Sequence, residues 1–160
     1  MSSRARPTPK TDSQRRVVAD VESHGWHCVT VPADTEGPGF TYSIGLTENY
    51  GHPEVIVIGL SVENGPLVIN AIGEVIRDDR VRFHAYERAD SVIEGYPVVF
   101  LPVEPRFYED FAGLARWFYS GDGFELLQCA WPDVHGRFPW DLGARATFQG
   151  MQPLLGRPPS

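Results

Sequence analysis

Apolar and polar positions divide this chain into nine elements before any other property is considered. Val17, Val18 and Val21 share one helical stripe, predicting a first helix that begins near Thr11 and is stopped by His24-Gly25. Thr11 followed by Gln14 has the spacing of a capping box, in which side chains satisfy the orphan N–H groups of a helix start. Residues 26–31 and 40–46 alternate as half-buried strands do. They are separated by a loop carrying Gly37-Pro38-Gly39. Residues 55–60 form an unbroken apolar, largely β-branched run, the pattern of a central strand. The polar stretch 47–53 before it predicts a turn-rich link. A second helix is expected over 66–78, with Pro66 in the first turn and Val68, Ile69, Ile72, Val75 and Ile76 forming a broad apolar face. Strands are then expected over 81–86 and 97–103. Phe107, Phe111, Leu114 and Phe118 mark a third helix over 106–119, and residues 124–131 read as a last strand. Short links between consecutive strands imply antiparallel pairing with the helices packed to one side. The expected class is therefore α+β: a mostly antiparallel sheet of about five to six strands with about three helices packed on it.

At 160 residues the chain has the length of one domain, and its 42% apolar and 22% charged content is that of an ordinary globular protein. The organisation expected is a flexible basic tail at 1–10, a single α+β domain at 11–142 and a weakly structured C-terminal segment at 143–160. A net charge of −7 argues against a protein that coats phosphate backbones, so no nucleic-acid partner is expected. Residues 1–16 carry Arg4, Arg6, Lys10, Arg15 and Arg16 against Asp12 alone, so the acidic excess lies in the rest of the chain. The longest apolar run is too short to cross a bilayer, and no apolar leader follows the basic start. Two cysteines make no disulfide framework. No membrane association and a cytoplasmic location are the expectations. The one lysine, Lys10, lies in the tail, which leaves the core without Schiff-base or lysine–phosphate chemistry. Phosphate-loop, dinucleotide-fingerprint, zinc-protease and nucleophile-elbow motifs are absent.

Two segments concentrate polar and aromatic residues. The first runs Gly39-Phe40-Thr41-Tyr42-Ser43-Ile44-Gly45-Leu46 and then Gly51-His52-Pro53-Glu54; the second is Leu127-Gln128-Cys129-Ala130-Trp131-Pro132-Asp133 and then Gly136-Arg137-Phe138-Pro139-Trp140-Asp141. With Gly25-Trp26 after the first helix, this combination resembles the bacterial domain of unknown function 4262 family over roughly residues 15–142. That resemblance implies a fold boundary and carries no settled activity with it.

His52 with Glu54, and Asp133 with His135, are spaced so that extended backbone points both members of each pair to one side. Brought together, the four side chains would make a mixed nitrogen and oxygen set suited to a divalent metal with open positions. Their competing reading is turn chemistry, set by Pro53 and by Asp133 ahead of Gly136. In a catalytic role His52 would act as general base, with Glu54 and Asp133 orienting it or binding metal. A site without metal would use Tyr42, Gln128, Trp131 and Trp140 to bind substrate, as apolar walls with a few polar anchors. The run of strand, turn, Pro53-Glu54 and apolar strand is also similar to flavin-reductase-like proteins, which implies a flavin as an alternative cofactor. Cys28 and Cys129, mid-strand among apolar neighbours, read as inert buried thiols. The function expected is small-molecule binding or catalysis through a site built from the 40–54 and 128–141 segments. The alternative is a protein-interaction module that docks a partner on the 131–140 aromatic lip.

Overall fold

The protein, in a computed structural model, is described over residues 6–160. The expected tail at 1–10 therefore lies partly outside the described residues. Arg6 is held by Glu22 at 2.7 Å and Glu48 at 3.0 Å. Helix α1 (Asp12–Ser23) starts as its sequence implies, with Thr11 Oγ1 accepting the Gln14 N–H. The return bond of the box goes to Lys10, whose N–H donates to Gln14 Oε1, one residue earlier than the pattern calls for.

Six strands form one sheet: β1 (His27–Val31), β2 (Phe40–Ile44), β3 (Glu54–Ile58), β4 (Arg88–Ile93), β5 (Tyr96–Pro102) and β6 (Leu126–Ala130), in the order β1-β2-β3-β6-β5-β4. Every neighbouring pair is antiparallel except β3 and β6, which run parallel with Glu54 opposite Leu126. The α+β class is as the sequence implies. The sheet has β1 and β4 as its edges and does not close.

The helices cover both faces, which corrects the one-sided packing expected above. Alternation along β3 sends Val55 and Val57 to one face and Ile56 and Ile58 to the other. Helix α3 (Asn64–Asp79) packs on the first face through Val68, Ile69, Ile72 and Ile76. Its approach is close at Gly73, where an added Cβ would stand 2.5 Å from the Trp26 ring. On the second face lie α1, α4 (Tyr108–Phe111) and α5 (Gly113–Phe118). The apolar stripe over 106–119 is real but not one helix: a 3-10 turn (Pro105–Phe107) leads into α4, and the helix breaks at Ala112 (φ −136°, ψ 39°). Gly113 is a weak helix former at the restart, and the Tyr42 hydroxyl accepts the Leu114 N–H at 3.1 Å, satisfying one orphan donor of the new first turn.

Three other local expectations change. Residues 81–86 are not a strand. Phe83 N–H bonds the His52 ring, Tyr86 takes a positive φ of 68°, and a His84–Glu87 turn delays the edge strand to Arg88. The link 47–53 is entered by a short helix, α2 (Leu46–Tyr50), which also takes the last residue of the strand expected over 40–46. After Gly143 the chain forms α6 (Ala146–Met151) and is tied to the sheet, correcting the expectation of weak structure. Buried Gln128 donates to Pro153 O and accepts from Leu155 N–H, both at 2.9 Å. Amide clamps of this kind leave no periodic trace in a sequence.

Candidate ligand-binding site

The parallel pair β3 and β6 fixes where a crevice opens. Past its carboxyl end, β3 leads to α3 on one face of the sheet. Past its own, β6 leads into residues 131–155, whose Phe138 and Leu154 pack with Val99, Leu101 and Ala130 on the other face. Two connections leaving to opposite faces part from each other, and a gap remains between them. The same geometry places ligand crevices at the carboxyl ends of parallel strands in open sheets.

That gap is a groove of about 410 Å³ lined by Leu60, Ile93, Trp131, Phe148 and Met151, with Tyr96 and the 132–134 turn at its rim. Trp131 forms its platform. The indole N–H donates to Ile58 O at 2.9 Å, and the ring stands edge-on to Phe148 with centroids 5.2 Å apart. Gln152, fully buried, accepts the Trp131 N–H and donates to the Trp131 carbonyl. Each polar group of Trp131 is thus bonded within the protein, which leaves its apolar ring as what it can offer the groove. Asp133 organises the rim: Oδ1 accepts the N–H groups of His135 and Arg137, and Oδ2 accepts Arg137 Nε at 3.3 Å. These donors hold its carboxyl below the usual range.

The remaining expected site residues lie elsewhere, already engaged. His52 is buried at the opposite, amino end of β3. Its Nδ1 bonds Pro53 O at 2.8 Å and its Nε2 accepts the Phe83 N–H at 3.0 Å, the pattern of a neutral ring protonated on Nδ1. Burial lowers its pKa. Glu54 is fully buried and collects donors on both oxygens: Ser43 Oγ and Leu46 N–H on Oε1, and Gly45 N–H, Thr47 N–H and the Tyr119 hydroxyl on Oε2. Gly45, at φ 121°, gives the turn that aims these N–H groups inward. Burial raises the pKa of this carboxyl, and the converging donors work against that rise. The carboxylate therefore caps α2 from outside its own sequence.

Tyr42 is core, with its hydroxyl on Leu114 N–H and its pKa pushed up to about 12 by burial. Gln128 ties down the C-terminal segment rather than facing a ligand. Trp140 stacks on Phe138 with centroids 4.8 Å apart, so the expected lip is partly folded in. His135 is exposed on the turn. Of the expected residues the groove gathers Trp131 and Asp133 alone. Among the described residues no group of three or more His, Cys, Asp or Glu side chains is placed to hold a metal ion. This corrects the metal set of His52, Glu54, Asp133 and His135: the first pair sits at the amino end of β3, the second beyond the carboxyl end of the parallel β6, and His52, Glu54 and Asp133 already spend their lone pairs on caps and turns. Cys28 and Cys129 have pKa values pushed up to about 12 by burial, which suppresses the thiolate.

Sequence reasoning missed Leu60, Ile93, Phe148 and Met151. The first two are ordinary apolar residues at strand ends, and the last two belong to the segment expected to be weakly structured. No pattern in the sequence marks them; the exposure of the apolar Met151 side chain, at 47%, is visible only in the fold.

An α+β sheet with one parallel pair and an apolar crevice at its carboxyl end defines the class of this protein. The chain belongs to the family described as Domain of unknown function (DUF4262), whose model matches residues 20–145. No curated protein and no solved structure gives a significant match. Among the described residues no helix is long and apolar enough to cross a membrane.

Proposed function

We propose that this chain is a binding domain for a small, largely apolar molecule, held in the groove at the carboxyl ends of β3 and β6. The observation that carries the reading is the Trp131 platform: a large aromatic side chain, fixed at its backbone and its indole nitrogen, lining a groove of about 410 Å³. Pockets of that size with apolar walls are the usual form of small-molecule sites, and a preorganised wall lowers the ordering cost of binding. The groove lining favours binding over catalysis. Among the described residues it holds no histidine, cysteine, serine or lysine, and the Asp133 carboxylate is occupied by its own turn.

A second reading, docking of a protein partner on the 131–140 region, draws on the exposure of Val134 at 78%, with the fully exposed Leu142 just beyond that region. The two readings separate with a neutral fluorescent probe, N-phenyl-1-naphthylamine. Saturable enhancement is expected with the wild-type chain, lost in Met151→Arg, which puts a cation at the groove wall, and kept in Leu142→Ser. Enhancement that survives Met151→Arg and disappears in Leu142→Ser overturns the small-molecule reading in favour of the surface one.

A further inference from the structure

At the opposite end of the sheet lies a cleft of contrary chemistry, about 690 Å³ in volume, where the last turns of α2 and α3 meet the 80–82 loop. Arg77, Arg80 and Arg82 all line it, beside Tyr50 and Glu48. In a chain of net charge −7 this is an unusual concentration of guanidinium groups. Their partners distinguish them. Arg77 is neutralised, with Nε and Nη2 donating to Asp78 at 2.7 and 3.1 Å and the guanidinium lying over the Trp26 ring. The acid in the cleft, Glu48, accepts from Arg6 at 3.0 Å. Arg82 donates through Nη1 to Gly51 O at 2.7 Å, which fixes the side chain without touching its charge. The Arg80 backbone N–H closes the helix on Val75 O, while its guanidinium makes no hydrogen bond or ion pair with any of the described residues.

Helix-dipole complementarity accounts for Arg77, in the last turn of α3, and not for the other two. Arg80 occupies the C-cap in the left-handed conformation (φ 56°, ψ 31°), where glycine or asparagine is the favoured residue. Arg82 stands beyond the helix and reaches to the Gly51 carbonyl, holding its remaining donors at the cleft. Two guanidinium groups that pair with no carboxylate among the described residues, one of them anchored, are suited to the paired oxygens of an oxyanion.

We infer that this cleft binds a small molecule through a multiply charged oxyanionic group, a phosphate or a polycarboxylate, held between Arg80 and Arg82. The inference is independent of the apolar groove, which lies at the other end of β3. The full chain is titrated calorimetrically with inorganic pyrophosphate and, separately, with citrate. One-site saturable binding of at least one probe is expected, and the probe that binds tells phosphate from carboxylate. Loss of one charge-assisted contact corresponds to weakening by about ten-fold, expected for both Arg80→Asn and Arg82→Gln. Arg106→Gln, on the 3-10 turn and paired with Glu104, should bind as wild type does. Asparagine suits the left-handed C-cap, so Arg80→Asn keeps the fold and decides the matter even if Arg82→Gln is unstable. Failure of both probes to saturate overturns the inference, as does a loss in Arg106→Gln equal to that in Arg80→Asn.

Discussion

Gln152 grips the backbone of Trp131 from both sides: its amide oxygen accepts the Trp131 N–H at 2.9 Å and its amide nitrogen donates to the Trp131 carbonyl at 2.8 Å. The side chain acts as one more strand residue, pairing where β6 has run out. It also joins the C-terminal segment to the groove platform, so the platform depends on residues that lie outside the sheet.

Gln152→Leu keeps the volume and removes both bonds, leaving a buried N–H and a carbonyl unpaired. The expected loss is about 2–3 kcal/mol of folding stability, read from the denaturant midpoint at unchanged slope. Binding of the neutral probe should weaken with it. An unchanged midpoint would show that water replaces the amide and that the clamp is dispensable.

His52 links stability to acid. Burial lowers its pKa from the ordinary 6.5, and its Nε2 must stay unprotonated to accept the Phe83 N–H. Above pH 6.5 the ring is neutral in both folded and unfolded chains, and its contribution is fully present. As pH falls through 6.5 the unfolded chain takes up a proton that the folded chain refuses, so stability declines until the folded pKa is reached. Thermal melts from pH 7.5 downward should show this slope in the wild type and a flatter one in His52→Gln. Equal slopes would remove His52 from the account.

Glu54→Gln tests the cap of α2. Five donors converge on the carboxylate, and a carboxamide brings an NH₂ group among them. One oxygen's worth of acceptors is lost and two donors are set against donors. A destabilisation of about 2–3 kcal/mol is expected. Because the site is far from the groove, probe affinity should stay the same once the variant is folded. A drop in affinity with stability intact would instead give Glu54 a part in binding.

Much of this molecule is legible in its sequence wherever a pattern repeats. The central strand β3, helix α3 and the stripe over 106–119 are carried by many side chains each, so single exceptions do not hide them. What stays hidden rests on single long-range bonds. Helix α2 is five residues long and owes its start to a carboxylate that follows it in the chain. The irregular path at 81–86 is held by scattered bonds, among them those of Phe83 to His52 and of Arg82 to Gly51. The same holds for the site. Trp131 is recognisable as a candidate because a tryptophan after a strand is conspicuous, whereas its partners Leu60, Ile93 and Met151 are apolar residues like many others. His52, Glu54 and Asp133 have the side chains of a metal or acid–base site, yet each spends its lone pairs on neighbouring backbone. Spacing along the chain shows which groups can meet, and not whether their hydrogen-bonding capacity is already used.

The central claim is that the crevice beyond β3 and β6 takes an apolar ligand, and nuclear magnetic resonance of the labelled chain titrated with a neutral naphthalene fragment tests it most directly. The account predicts saturable shifts confined to Leu60, Ile93, Phe148, Met151 and the Trp131 indole N–H, with the His52 and Glu54 region unmoved. Shifts that never saturate, or that gather around His52 and Glu54 while Trp131 stays still, would contradict it.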